Sequence, residues 1–220
     1  MLLRLSTLSA TVLLSTALTS GCVIHVGGDY KNRPGTSVSS ILGGINIDAG
    51  HRVGNLSTVN GGIELEDDVT AKSLSVVNGG VALGTNVTIT DIEVVNGDIE
   101  AESGLVVSGS VETVNGDIHF GKSSSIEKNL ITVNGDIDIV SSTIKGNIST
   151  VNGNITIDGS SHIRGDIVYE KRSDNDWNKN SRIPVLTLGE NVTVAGNIVL
   201  HQDVELHLAT AAQEAKVIRR

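Results

Sequence analysis

Residues 59–65 read Val-Asn-Gly-Gly-Ile-Glu-Leu, and related stretches return at 77–83 (Val-Asn-Gly-Gly-Val-Ala-Leu) and 95–101 (Val-Asn-Gly-Asp-Ile-Glu-Ala). The triplet Val-Asn-Gly occurs six times, at intervals of 18, 18, 19, 19 and 18 residues. A fixed interval of this size is typical of a solenoid, in which each repeat forms one coil and equivalent residues lie above one another. The triplets begin at Val59, Val77, Val95, Val114, Val133 and Val151.

Apolar residues occupy fixed positions within each repeat, and polar residues such as Glu64 lie between them. Alternation with a period of two indicates short strands that turn one face to a core and the other to water. In the repeat that begins at Val59, the predicted core positions are Ile63, Leu65, Val69, Leu74 and Val76.

Two architectures, antiparallel hairpins and a parallel solenoid, are compatible with this pattern. Asn-Gly suits the type I′ turn of an antiparallel hairpin, but hairpins give no reason for one triplet to return at a fixed step. We therefore predict an all-β fold, a single-stranded parallel β-helix over residues 41–208, with coils of about 18–19 residues and about eight coils in total. Parallel connections favour a right-handed helix. The left-handed hexapeptide alternative fits poorly, because Leu74 and Val76 straddle its third apolar position.

The asparagine of each triplet is predicted to form a vertical column. We expect it at a corner where the backbone visits the left-handed region, which asparagine tolerates. Amides one coil apart can donate to and accept from each other, so an inward ladder would satisfy its own polar groups. This favours a structural role over a ligand site. The column comprises Asn60, Asn78, Asn96, Asn115, Asn134 and Asn152.

A second column carries the carboxylates of Asp98, Asp117 and Asp136, followed by Asn154. Neighbours ~4.8 Å apart in water repel by only about 1 kcal/mol, so no cation is required. A weak Ca²⁺ site is the alternative, but the calcium-binding nonapeptide is missing. The six histidines show no metal-ligand spacing, and no nucleophile elbow or P-loop is present. We expect no metal, no cofactor and no enzymatic activity.

Residues 169–184 interrupt the repeat with a charged stretch that holds the only tryptophan. They are predicted to leave the coil as an exposed loop. Such a loop either binds a partner, with Arg172, Asp176 and Trp177 as candidate contacts, or is a tolerated insertion. Residues 209–220 are expected to form a C-terminal tail or cap.

Residues 1–21 combine a basic start at Arg4, an apolar stretch and small residues before Cys22, which is typical of a secretion signal. Cys22 is the only cysteine, and its setting resembles the lipobox of bacterial lipoproteins, although Thr19 stands where leucine is usual. The resemblance implies an acylated Cys22 that anchors the chain to membrane lipid; a free thiol in a secreted protein is the alternative. We predict a flexible linker over 22–40 and a place in the bacterial cell envelope, at the outer membrane.

Composition limits the possible partners. Aromatic residues make up 2% of the chain, and 25 acidic residues outnumber 16 basic ones, for a formal charge of −9. Nucleic-acid binding needs clustered Lys and Arg, so a nucleic-acid partner is not expected.

Short aliphatic strands alternate with Gly-Asp-Ile or Gly-Asn-Ile corners in a way that is similar to the polymer-forming bactofilin-like proteins and to adhesin head domains. The resemblance implies a right-handed triangular β-helix and self-association end to end as a homo-oligomer. The lipobox and the insertion depart from the cytoplasmic bactofilin pattern and argue against a cytoskeletal role. A structural scaffold is the expected function, and the alternatives are an adhesin or a module that binds envelope polysaccharide or protein; a polysaccharide-acting enzyme is less favoured. The corners that carry the resemblance are at residues 134–137, 145–148, 164–167 and 195–198.

Overall fold

The fold is a β-solenoid of about nine turns, built from three parallel sheets, as seen in a computed structural model of the chain. The structure describes the backbone of residues 24–26, together with residues 35–172 and 182–220. Each strand pairs in parallel with its counterpart one coil away, as Asn60 does with Asn78 and Asn78 with Asn96. The predicted all-β parallel solenoid is confirmed.

The first sheet has ten strands, one from each successive coil. They are β1 (Ile24–Val26), β3 (Ile45–Ile47), β5 (Ile63–Leu65), β7 (Val81–Leu83), β10 (Ile99–Ala101), β13 (Ile118–Phe120), β16 (Ile137–Val140), β19 (Ile155–Asp158), β22 (Val185–Leu188) and β25 (Glu205–Leu208).

The second sheet has six two-residue strands, and parallel bridges from Arg52 to Thr70 and from Thr70 to Thr88 extend it toward the amino-terminal end. Its strands are β8 (Thr88–Ile89), β11 (Val106–Val107), β14 (Ser125–Ile126), β17 (Thr143–Ile144), β20 (His162–Ile163) and β23 (Thr193–Val194).

The third sheet has ten strands. In the coils that contain a Val-Asn-Gly triplet, its strand precedes the Asn-Gly corner. Its strands are β2 (Val38–Leu42), β4 (Leu56–Asn60), β6 (Ser73–Asn78), β9 (Asp91–Asn96), β12 (Val111–Asn115), β15 (Leu130–Ile131), β18 (Ile148–Thr150), β21 (Ile167–Tyr169), β24 (Ile198–Leu200) and β26 (Val217–Arg219).

The core is a continuous aliphatic stack inside the three sheets. The alternation predicted from the sequence is confirmed, because the predicted core positions are buried while Glu64 between them is exposed. Columns of like residues stack directly, as Ile99, Ile118 and Ile137 do in the first sheet. Such packing removes nearly all of each aliphatic side chain from water, and this burial is the main stabilising contribution.

Glycine is required at the corner after each ladder asparagine. A Cβ on Gly79 would lie 2.9 Å from the Gly62 nitrogen and closer still to the Gly61 carbonyl, because successive coils approach backbone to backbone there. Gly61, Gly79 and Gly97 also have φ between 148° and 156°, which side chains disfavour. The close approach explains why this glycine returns in every Val-Asn-Gly triplet.

The solenoid is longer at both ends than the predicted 41–208. Strand β1 and the start of β2 lie within 22–40, so the prediction of a linker is wrong for those residues. At the other end, helix α1 (Ala211–Glu214) and β26 lie within 209–220, and β26 pairs with β24. These additions raise the coil number from the predicted eight or so to about nine.

Helix α1 takes the place that a strand of the second sheet holds in earlier coils. Thr210 caps its first turn, and the buried Gln213 side chain donates hydrogen bonds to the carbonyls of Gly189 (2.9 Å) and Val192 (3.0 Å). This end of the second sheet is therefore covered by the chain itself.

The interruption of the coil is shorter than predicted. Tyr169 is completely buried, pairs with Thr150 and Leu200, and occupies a core position; Pro184 is buried as well. The limits 169 and 184 are therefore wrong, because both of these residues are buried against the stack. Sequence reasoning missed this because tyrosine is rarely a core residue in so aliphatic a stack.

Candidate functional site

The six predicted ladder asparagines lie one above another at the corner between the third and first sheets. In each step the Nδ2 of one asparagine donates to the Oδ1 of the asparagine one coil earlier. The five distances are 3.0 Å (78 to 60), 2.9 Å (96 to 78), 2.8 Å (115 to 96), 2.8 Å (134 to 115) and 2.8 Å (152 to 134).

The ladder faces outward, not inward as expected. Five of the six asparagines are exposed and Asn152 is half-buried. None of them has a positive φ, so the expected left-handed backbone at the asparagine is also wrong. The strand ends at the asparagine and the chain turns at the next glycine, which leaves the amide at the rim of the corner.

Asp98, Asp117 and Asp136 form the predicted second column, and their carboxylates accept hydrogen bonds from the backbone of the next coil. The Oδ1 of each accepts the N–H of the next residue in the column, Asp117 N at 2.8 Å, Asp136 N at 2.7 Å and Asn154 N at 2.7 Å. These contacts account for the column without a cation. In the part of the chain that the structure describes, no group of three or more His, Cys, Asp or Glu side chains is arranged to hold a metal ion.

A further column of Asp and Asn lies at the corner between the second and third sheets, and its side chains also accept hydrogen bonds from backbone N–H groups. Asn129 Oδ1 accepts Asn147 N (3.0 Å), Asn147 Oδ1 accepts Asp166 N (2.9 Å), and Asp166 Oδ1 accepts Asn197 N (2.7 Å). Sequence reasoning singled out these Gly-Asn-Ile and Gly-Asp-Ile corners but missed their role. The signal was the acceptor side chain directly after the corner glycine, as in Gly146-Asn147 and Gly165-Asp166; Asn129 follows Lys128 and carries no such signal.

An open groove of about 580 Å³ lies on the outer face of the first sheet. Ala82 and Gly84 form its floor, because they stand where the coils on either side carry Glu64, Glu66, Glu100 and Glu102. Three of its acidic side chains hold neighbouring coils: Glu66 Oε2 accepts Ala49 N (3.0 Å), Asp67 Oδ1 accepts Thr85 N (2.7 Å) and Glu102 Oε2 accepts the Thr85 hydroxyl (2.9 Å). The groove is strongly anionic.

The outer face of the third sheet is different in chemistry. The valines of the Val-Asn-Gly triplets form a half-buried aliphatic column on it. Beside that column, burial raises the pKa of the Glu112 carboxyl, and the negative charges of Glu93 and Asp91 raise it further. Glu112 is thus held among groups that disfavour its ionised form.

Two hydrogen bonds join the residues on either side of the insertion, and we call these flanking residues its base. The Arg172 guanidinium donates to the Arg182 carbonyl at 2.7 Å, and the buried Tyr169 hydroxyl donates to the Val185 carbonyl at 3.0 Å. Burial raises the pKa of that hydroxyl, which therefore stays a donor. Of the candidate partner contacts, Arg172 lies at this base, whereas Asp176 and Trp177 lie outside the described residues.

The predicted lipid-attachment residue, Cys22, also lies outside the described residues. Within the described ranges, no helix is long and apolar enough to cross a membrane.

Searches for similar proteins found no protein family, no curated protein and no solved structure that matches this chain.

Proposed function

We propose that the chain is a bacterial envelope lipoprotein, anchored through an acylated Cys22, whose β-solenoid acts as a non-enzymatic structural rod. The signal-like residues 1–21 and the single cysteine after them support the anchor. Two or three acyl chains would hold the protein stably on a bilayer, for which we propose the outer membrane.

The observation that carries the structural role is the unbroken stack of coils. The first and third sheets each run through ten strands, and about nine coils at ~4.8 Å per coil give a rod about 40 Å long. Asparagine, aspartate and glycine columns fix the register at the corners of the coils between residues 60 and 154. A stack of this kind holds two points at a fixed separation, which is the task of a spacer or scaffold.

Self-association would use the open edges at the ends of the rod. Helix α1 covers the second sheet at the carboxyl end, whereas β25 and β26 are the last strands of the first and third sheets. Unpaired edge strands can pair with another chain. We propose that rods associate end to end through these two edges, as the resemblance to bactofilin-like proteins implies.

The edge of β26 allows a sharp test. Ile198 N donates to Lys216 O and Arg220 N donates to Leu200 O, so by alternation the N–H of Arg219 points away from β24, toward the open edge. Arg219→Pro removes that donor without removing a bond to β24, and Arg219→Ala removes the same charge while keeping the donor.

With protein that begins at residue 23, we expect oligomers by light scattering and end-stacked particles by electron microscopy for the unaltered chain and for Arg219→Ala. Arg219→Pro should reduce them strongly. A strict monomer at high concentration, or equal assembly of the two variants, would contradict association through this edge.

The anchor is tested separately in cells by labelling with a clickable palmitate analogue. The unaltered protein and Ser20→Ala, which keeps a small residue before the cysteine, should be labelled and found in the membrane fraction. Cys22→Ala should be unlabelled and soluble. Label on Cys22→Ala would contradict acylation at Cys22.

An adhesive or binding module is a second candidate, and the anionic groove of the first sheet favours it. A cationic polysaccharide or a basic protein surface would match its charge. Calorimetry with chitosan oligosaccharides, comparing Glu64→Gln/Glu100→Gln with the remote control Glu190→Gln/Glu214→Gln, tests this candidate. Loss of binding only in the groove variant supports it; no binding by the unaltered chain removes the cationic-polysaccharide form of it.

A further inference from the structure

Each asparagine of the ladder is followed by a glycine, and Asn-Gly pairs are prone to spontaneous deamidation. The backbone nitrogen of the glycine can attack Cγ of the asparagine. The new N–Cγ bond forms as the Cγ–Nδ2 bond breaks, the glycine nitrogen loses its proton, and ammonia leaves. Water then opens the cyclic imide to give either aspartate or isoaspartate, so atoms balance without any oxidant or reductant.

In four of the six pairs the attacking nitrogen is held by the next coil. The N–H of each glycine donates to the backbone carbonyl of the asparagine one coil later, which fixes the nitrogen within the stack. The four bonds run from Gly61 to Asn78 (2.9 Å), Gly79 to Asn96 (2.9 Å), Gly97 to Asn115 (2.9 Å) and Gly116 to Asn134 (3.0 Å).

The last two pairs lack this restraint. The N–H of Gly153 has no hydrogen-bond acceptor among the described residues. The N–H of Gly135 makes no hydrogen bond as well formed as the other four, although Asn134 and Asn152 still lie opposite each other in a parallel bridge. At Asn152 the side chain is also held at one end only, because within the described ranges no amide donates to its Oδ1.

A buried hydroxyl marks the same irregularity independently. Thr113 and Thr132 donate to the carbonyls of Gly97 (3.3 Å) and Gly116 (3.2 Å). Thr150 is their counterpart one coil later, yet its completely buried hydroxyl has no partner within the described residues. The corner at Gly135 therefore departs from the geometry of the corners before it.

We propose that Asn152-Gly153, and more slowly Asn134-Gly135, are sites of spontaneous deamidation in the folded protein, while the other four Asn-Gly pairs are protected by the stack. The product at residue 152 cannot donate to Asn134 Oδ1, so the terminal rung is lost. It also places a negative charge at the base of the insertion. Isoaspartate would in addition lengthen the main chain by one atom there.

Peptide mapping by mass spectrometry tests the proposal on the unaltered protein. The folded chain is aged in mildly alkaline H₂¹⁸O, which marks every site opened during ageing. We expect Asn152 to react about tenfold or more faster than Asn96, with Asn134 between them, because reaction at Asn96 must first break the Gly97 hydrogen bond. In urea, where the stack is absent, all six should react at similar rates.

Asn152→Gln is the matched variant, since its longer side chain forms the imide far more slowly while keeping an amide. It should remove the fastest phase of ammonia release and leave the other sites unchanged. Equal rates at Asn152 and Asn96 in the folded protein would overturn the proposal, as would a fastest phase that survives in Asn152→Gln.

Discussion

The two halves of the rod are built from the same coil but fill it differently. Residues 35–120 carry twelve acidic residues against two basic ones, whereas residues 121–172 and 182–220 carry ten of each. The buried column that precedes the second-sheet strands also changes. It holds Val87 and Leu105 in the first half, whereas in the second half it holds Ser124, Ser142 and Ser161 before it returns to an aliphatic residue at Val192.

The difference shows which features the coil requires. An aliphatic column gives way to serines because the serines bond within the stack: Ser142 Oγ accepts Ser124 N at 3.0 Å, and Ser161 Oγ accepts Ser142 N at 3.2 Å. The balance of acidic and basic residues differs between the halves without a change in the coil. The corner glycines and the first-sheet aliphatic column, by contrast, continue through both halves.

The largest expected effect tests whether the halves share one core. Ile99→Ala and Ile155→Ala each remove a completely buried side chain from the first-sheet column, one in each half. Each should lower the free energy of unfolding by about 2–5 kcal/mol, as measured by urea denaturation. A much smaller effect for Ile155 would show that the second half depends less on its core.

A smaller but position-specific effect is expected at one corner. Gly79→Ala forces a Cβ against the Gly61 carbonyl and should destabilise the fold by about 1–3 kcal/mol. The neighbouring Gly80→Ala is the control, because its Cβ would lie 3.2 Å from the Asp98 carbonyl and the same column already holds Asp98 and Asp117. Thermal unfolding should rank Gly79→Ala far below Gly80→Ala. Equal losses would contradict the close approach of the coils.

The serine column gives the next prediction. Ser142 Oγ lies 3.0 Å from the Gly121 carbonyl and 2.9 Å from that of Val140. Ser142→Ala removes this hydroxyl and leaves the Ser124 N–H without its acceptor, so we expect a loss of about 1–3 kcal/mol. The exposed Ser160→Ala should change stability by less than about 0.5 kcal/mol. If Ser142→Ala is neutral, serine and aliphatic columns are interchangeable.

The smallest effect concerns the charge difference between the halves. The pKa of Glu112 is raised in the folded chain, so folding holds its proton more tightly and stability falls as pH rises from the ordinary pKa through the raised one. Glu112→Gln should therefore be slightly more stable than the unaltered chain at neutral pH. The gain should vanish in acid, where the carboxyl is protonated in both states.

Glu190→Gln, an exposed residue of the second half, removes the same charge as the control for Glu112→Gln. Melting temperatures across pH should separate the two variants. A gain for Glu112→Gln that persists in acid would mean that packing, not charge, is responsible.

The sequence could predict the stack because a strict period reveals which residues lie above one another. It could not predict which way the corner residues face. Alternation from Leu56 would turn Asn60 inward, but the chain bends at Gly61 and leaves the amide exposed. The groove was equally hidden, because it depends on the small Ala82 standing between two glutamates that are distant in sequence.

The insertion between Tyr169 and Pro184 shows how such a rod can change during evolution. The two sides of the gap are joined by the Tyr169 hydroxyl and the Val185 carbonyl, and β19 pairs with β22 across it as if no residues intervened. Each coil depends only on its immediate neighbours, so new sequence can enter at this seam without disturbing more distant coils. An architecture of this kind can acquire a recognition element in a single genetic event and refine it afterwards, while the supporting column stays as it was.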